Sequence, residues 1–178
     1  RNHEIVKYLQ NIVSSNEYIH SIYVYVPYNN AVFSSSGGIY ELKDFYDNEW
    51  IYGYNSNPDS VRQYDVRKVP DVNWVEMQCV TVFKDFPNVF RARLGQIIIN
   101  LDADKLYNKM QAEGINLGGE IFALDEDGKI MLHQDKSKLG KNVEQYGYML
   151  NIQGHDKGYL LEKIGSTSTL LFYISSVR

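Results

Sequence analysis

The sequence predicts an α+β fold of two antiparallel-sheet subdomains, entered through a long N-terminal helix and joined by a linking helix. Three observations predict it. Ile19–Val26 alternates strictly between two faces, the pattern of a half-buried strand. Asp102 stands directly before a helical stripe, where its carboxylate can accept from the unpaired amides of the first turn. Asp125-Glu126-Asp127-Gly128 separates two short apolar runs, which spells a hairpin: Asp supplies local side-chain bonds and Gly tolerates positive φ. The order hairpin, helical insert and long strands occurs twice, with the helix at 103–113 between the halves. The expected divisions are an N-terminal helix at 1–18, a first subdomain at 19–102, the linking helix at 103–116 and a smaller subdomain at 117–178.

Taken in order, Ile5, Tyr8, Leu9, Ile12 and Val13 give residues 4–13 one apolar helical face, and Ser14-Ser15-Asn16 ends it. In the first strand Ile22, Val24 and Val26 share one face, and Ser21, Tyr23 and Tyr25 the other. Pro27-Tyr28-Asn29-Asn30 turns the chain, and Ala31-Val32-Phe33 returns as a second strand. Leu42, Phe45, Tyr46, Glu49 and Trp50 recur at i, i+3, i+4, i+7 and i+8, so residues 41–52 are predicted as a short helix. Val61–Val69 reads as an irregular strand broken by Pro70-Asp71. Trp74–Phe83 is rich in β-branched and aromatic residues, and Val89–Leu101 is the longest predicted strand. Leu106, Tyr107 and Met110 give the linking helix its stripe, and Gly114 stops it. After the central hairpin and a polar connection at 135–147, strands at Tyr159–Ile164 and Thr169–Ile174 flank another turn.

At 178 residues the chain suffices for one well-buried domain or two small ones, and its 44% hydrophobic and 22% charged content is ordinary. A net charge of −4 without a concentrated basic run argues against nucleic acid as a partner. The one cysteine, Cys79, has no internal disulfide partner and reads as a small buried hydrophobe. No run approaches the roughly 20 apolar residues that cross a bilayer. With no signal peptide, a start inside a helical pattern at Arg1 and an end at Arg178 just past a strand, the chain reads as a piece of a larger protein. His3, His20, His133 and His155 lack paired metal-ligand spacing. Counting from Asp125, a calcium loop would need Gly at position six and Glu at twelve, where Ile130 and Lys136 stand. No nucleophile elbow, phosphate-binding glycine loop or His-Glu-x-x-His occurs. The chain itself is therefore expected to be no enzyme, with no catalytic residue, metal or cofactor.

The stretch Gly95-Gln96-Ile97-Ile98-Ile99-Asn100-Leu101-Asp102, then Leu106, Ile121–His133 and Leu139-Gly140, resembles the double Cache pattern of sensor domains in Gram-positive membrane receptors. These are relatives of PAS folds. The long helix, the paired strands and Asp47-Asn48-Glu49-Trp50 agree in order, so the resemblance spans nearly the whole chain. It implies two PAS-like subdomains outside the cell, 19–102 membrane-distal and 117–178 membrane-proximal. It further implies a small-molecule ligand in the distal lobe, flanking membrane helices, a homodimeric full-length protein, and a cytoplasmic histidine kinase or AraC-type transcription regulator; in other bacteria the effector is a chemoreceptor. Amino-acid-binding Cache domains carry an Arg a few residues before a Trp-Tyr pair. Here Trp50 is preceded by Asn48 and Glu49 and followed by Ile51, so an amino-acid ligand of that kind is not expected; the ligand class expected is a sugar or an organic acid.

The pocket wall is expected from the distal sheet and its lid from residues around 45–67. Tyr23 and Tyr25 are candidates to line it, and Trp50, Tyr52 and Tyr54 to stack on an apolar or sugar face. Arg62, Arg91 and Arg93 are candidates to pair with a carboxylate or phosphate, and Asp65 and Asp85 to accept from hydroxyls or an ammonium. Each has a plainer reading. The two strand tyrosines are read first as packing under a covering helix, since buried aromatics usually serve the core. Arg91 and Arg93 alternate with Phe90, Ala92 and Leu94 and are read first as a solvent face. A second functional class is a protein-docking module for a solute-binding protein, with no small-molecule ligand; a third is a structural spacer. A closed cavity with convergent polar groups favours sensing, and an exposed tyrosine-rich patch favours docking.

Overall fold

Alternating sequence builds one large sheet: β1 (Ile19–Val26), β2 (Ala31–Ser34), β3 (Gly38–Glu41), β4 (Tyr64–Pro70), β5 (Glu76–Asp85) and β6 (Gln96–Asp102). The computed structural model describes residues 2–52, 64–86, 94–113, 120–125, 127–143, 157–164 and 166–174. The six strands run in the order β3-β2-β1-β6-β5-β4, every neighbour antiparallel. β1 has the predicted ends, and β3 falls where a loop and the start of a helix were expected. Register decides the two faces. Pairs Tyr23↔Ile98, Tyr25↔Gln96 and Thr81↔Asn100 put aromatic and polar side chains on one side; Ile22↔Ile99, Val24↔Ile97 and Val24↔Phe33 put aliphatic ones on the other.

The aliphatic face is covered by α1 (Asn2–Ser15), whose Val6 and Leu9 are buried against Ile22, Ala31 and Phe33. Leu9, Ile12 and Val13 face the sheet as expected, with Val6 in place of Ile5 and Tyr8, which are exposed. The sequence offers two overlapping stripes, and the aliphatic sheet takes the one without the tyrosine.

The other face is covered by residues 42–52, which are not one helix. Leu42–Asp44 form a single 3-10 turn, residues 45–48 are irregular, and 50–52 are helical. The aromatic spacing that predicted a helix is satisfied differently, because Phe45 and Trp50 both drop onto the same sheet face.

β6 ends in Asp102, whose Oδ1 accepts from the Asp104 and Lys105 amides at 3.0 and 3.1 Å and opens α2 (Ala103–Glu113). Beyond it, β7 (Phe122–Leu124) and β8 (Ile130–His133) form the predicted hairpin. Asp125 Oδ1 accepts from the Asp127 and Lys129 amides at 3.0 and 2.8 Å, and Gly128 takes φ +78, the left-handed conformation the turn requires. The Lys129 ammonium pairs with Asp65 on β4, tying this hairpin to the large sheet. β9 (Lys157–Ile164) and β10 (Thr167–Ile174) pair as a further antiparallel hairpin. No helix among the described residues is long and apolar enough to cross a membrane.

Two outcomes are expected. Asp102→Ala removes the helix cap and should lower stability by about 1 kcal/mol in urea unfolding. His20, at the irregularity in the β1–β6 register, has its pKa lowered mainly by burial, against the opposing pull of Asp102 and Asp71. The unfolded chain then binds the proton better, so this group's contribution is complete above about pH 6.5 and is lost as pH falls from there through the folded pKa. Urea midpoints across pH 5–7.5 should show that slope, and His20→Gln should flatten it.

Candidate functional site

Strand alternation and register line up polar residues from four adjacent strands on the face away from α1: Ser21 on β1, Asn100 on β6, Thr81 on β5 and Arg67 on β4. Asn100 Nδ2 donates to Ser21 Oγ at 2.9 Å, and Thr81 Oγ1 donates to Asn100 Oδ1 at 2.7 Å. Arg67 Nε donates to Thr81 Oγ1 at 2.9 Å, and Arg67 Nη2 to Asn100 Oδ1 at 3.0 Å. Ser21 Oγ continues the chain to Tyr23 Oη at 3.2 Å. The guanidinium fork then closes on Asp47, with Nη1 to Oδ1 at 2.5 Å and Nη2 to Oδ2 at 2.7 Å. Asp47 is only 1% exposed, and Thr81 and Asn100 are wholly buried. A buried ion pair of this kind persists only when each charge finds partners, and this one does.

Beside the polar line lies an aromatic floor of Tyr23, Tyr25, Val32, Phe45, Trp50, Ile51 and Ile98. Tyr23 meets Phe45 edge-on at 4.8 Å, and Tyr25 meets Trp50 at 5.4 Å. Trp50 Nε1 donates to the Asp47 carbonyl at 2.7 Å, so the segment carrying the carboxylate is pinned by its neighbour's indole. Burial pushes the Tyr23 phenol far up and the Cys79 thiol up to about 12, which leaves neither ready to ionise. At the far end of β6, Gln96 donates to Asp85 at 3.0 Å; among the described residues its Oε1 is a buried acceptor without a partner.

Two open clefts border residues 42–52. The larger, about 740 Å³, is lined by residues of 43–49, Asp47 among them, and by Lys68, Pro70, Trp74 and Glu76. The smaller, about 300 Å³, is lined by Asn30, residues of 41–43, Asn48, Ile51 and Tyr52. Among the described residues no group of three or more His, Cys, Asp or Glu side chains is placed to hold a metal ion.

The sequence candidates divide. Tyr23, Tyr25 and Trp50 come together in the floor, where Trp50 is 5% exposed. Tyr52 is exposed at the smaller cleft. Asp85 meets Gln96, and Asp65 meets Lys129. Tyr54, Arg62, Arg91 and Arg93 lie outside the described residues. Sequence reasoning missed Arg67 and Asp47, twenty positions apart. The available signal was the parity of β4, which puts Arg67 on one face with Val69, a residue that is wholly buried.

No protein-family model matches the chain, and no curated protein does. Solved structures share its fold. The extracellular domain of rpHK1S-Z16, assigned as a histidine kinase, superposes with a TM-score of 0.58 at 12% identity over 94% of this chain and 69% of that one. The ligand-binding domain of the Pseudomonas fluorescens chemoreceptor CtaA, in complex with L-isoleucine, gives 0.56 at 14% identity over 93% and 66%. The sensory domain of the Campylobacter jejuni chemoreceptor Tlp3, with isoleucine bound, gives 0.53 at 15% identity over 95% and 66%. The chain thus spans about two thirds of the length of these solved domains. Its α+β fold is that of extracellular sensor domains of histidine kinases and chemoreceptors, in agreement with the Cache-type resemblance.

Trp50→Ala should lower stability by about 3–5 kcal/mol, the usual loss for emptying a buried large aromatic site. Urea unfolding followed by far-UV circular dichroism measures it, and Trp50→Phe should lose less.

Proposed function

We propose that this chain is the extracytoplasmic ligand-sensing domain of a bacterial transmembrane signalling protein, a histidine kinase or an AraC-type regulator. It binds a small molecule in the distal subdomain, 19–102, and passes a displacement through the linking helix to the proximal subdomain, 117–178. The full-length receptor is a membrane-held homodimer, and the chain itself carries no catalytic step. The observation that carries this reading is the hydrogen-bonded line from Ser21 to Arg67 beneath residues 42–52. A sheet face that served only to pack would be aliphatic, as the face under α1 is. Instead it holds a cation, amide and hydroxyl groups beside aromatic rings, the composition of a small-molecule site.

The contacts proposed from the described residues are Tyr25, Trp50, Tyr52 and Asp85, with Tyr23 as floor. Asp65, paired with Lys129, and Tyr54, Arg62, Arg91 and Arg93 complete the set proposed from the sequence. A sugar or organic acid is the proposed ligand, since the segment before Trp50 lacks the arginine of amino-acid-binding Cache domains. One observation favours the docking alternative. At the tip of the β4–β5 hairpin Trp74 is 72% exposed at φ +61, beside exposed Val72 and Val75, an apolar cluster suited to a protein surface.

A thermal-shift screen with sugars, organic acids and amines tests the sensing reading. Binding to the folded form alone raises the melting temperature, by the equivalent of about 2.7 kcal/mol at a hundred times Kd. A saturable rise with one class is expected, with none for L-isoleucine. No rise with any class, together with capture of a purified solute-binding protein that Trp74→Ala abolishes, would replace sensing by docking.

A further inference from the structure

We infer that Asp47 is a built-in competitor: its carboxylate occupies a preformed carboxylate receptor made by Arg67, Thr81 and Asn100, and the ligand is a small carboxylic acid that displaces it. This rests on the sensing reading and names both the ligand's chemistry and the control of its site.

The two halves of the ion pair are built differently. Arg67, Thr81 and Asn100 stand on three neighbouring strands, each held in register by the ladder. Thr81 and Asn100 take the Nε and one Nη2 hydrogen bond of the guanidinium and so fix its plane. The fork that remains, Nη1 and Nη2, presents two parallel donors, the geometry that receives a carboxylate through both oxygens. A receptor supported in this way is already organised before anything binds.

The carboxylate half is held at its backbone carbonyl by the Trp50 indole and not by a strand ladder. Asp47 belongs to the irregular residues 45–48, outside any strand ladder. Phe45 and Trp50, on either side of it, hold the backbone down on the sheet. Asp47 lines the 740 Å³ cleft, and Arg67 does not. A rotation of the Asp47 side chain toward that space frees the fork while Phe45 and Trp50 keep their places. An incoming carboxylate then meets the same Nη1 and Nη2 donors of Arg67 that Asp47 met. Replacement of one carboxylate by another leaves no buried charge unpaired, whereas a neutral ligand would strand the guanidinium. The receptor therefore selects acids. Because Asp47 is tethered, it competes at an effective concentration of millimolar order or above, which sets a threshold on the external acid.

The test compares the wild-type chain with Asp47→Asn, using acetate, lactate and succinate against acetamide, lactamide and succinamide. Thermal shift and calorimetric titration should show acids binding at least tenfold tighter to Asp47→Asn than to wild type, and the amides binding to neither. In wild type, the side-chain resonances of 15N-labelled Arg67 should move with acid and not with amide, and backbone exchange at 45–49 should rise. These wild-type measurements decide the matter if Asp47→Asn does not fold. Equal effects of acids and amides, or no gain in Asp47→Asn, would overturn the inference. If sugars or amines stabilise wild type while acids do nothing to either chain, the competitor role falls and the sensing reading stands. If no class binds either chain, both fall.

Discussion

The bidentate pairing of Arg67 with Asp47 is the constraint around which the large sheet and its cover are arranged. Taking two charges out of water is unfavourable by several kcal/mol per ion unless geometry and additional hydrogen bonds compensate. Here the compensation extends across four strands, through Thr81, Asn100 and Ser21 to the phenol of Tyr23. Each member is useful only while the others stay in register, since a one-residue slip of β5 or β6 would turn Thr81 or Asn100 to the opposite face. The polar line therefore specifies the strand pairing as well as the position of residues 45–50 above it. Aliphatic packing alone, as under α1, favours burial without choosing so narrowly among registers.

Much of this architecture was legible in local sequence, and what was legible has a common physical basis. Ile19–Val26, the Asp102 cap and the Asp125–Gly128 turn each satisfy their backbone groups within a few residues, so nearby side chains announce them. The cover at 42–52 was misread because its periodic aromatics obey a tertiary rule. Phe45, Tyr46 and Trp50 are spaced as on a helix, yet Phe45 and Tyr46 lie against each other at 4.5 Å, and Trp50 reaches Tyr25 instead. α1 shows a milder form of the same competition, settled by the aliphatic surface it meets.

The heart of the candidate site was illegible for a related reason. Asp47 reads only as part of the Asp47–Trp50 stretch and Arg67 as one of several interleaved charges, and each looks like an ordinary surface charge when read beside its neighbours Asn48 or Lys68. Their meeting depends on the cover folding back over β4, a non-local event. Tyr23 and Tyr25 were visible because strict alternation puts them on one strand face, and Trp50 because large aromatic side chains usually serve a core. Whether such rings line a pocket or close a core is set by what stands above them, and a strand's own sequence does not contain that.

β4 has a mechanical position that follows from the same pairings. It is the edge strand of the sheet, laddered only to β5, so its displacement disturbs fewer backbone bonds than that of any interior strand. Arg67 and Asp65 stand two residues apart on it and therefore share a face. Arg67 faces the cover through Asp47, and Asp65 faces the β7–β8 hairpin through Lys129. Lys129 is itself held at its amide by Asp125 and bridged to Asn142, so the hairpin presents that ammonium from a braced turn. A change in what Arg67 holds is thus a load on the same short strand that carries the link to the second hairpin. Under the proposed sensing function, coupling between the large sheet and the β7–β8 hairpin requires that an occupant favour one arrangement of β4 over another by a real difference in free energy. In the proposed function an occupant's charge reaches the edge most directly at Arg67, since Tyr23 and Tyr25 stand on β1 with β6 and β5 between it and β4.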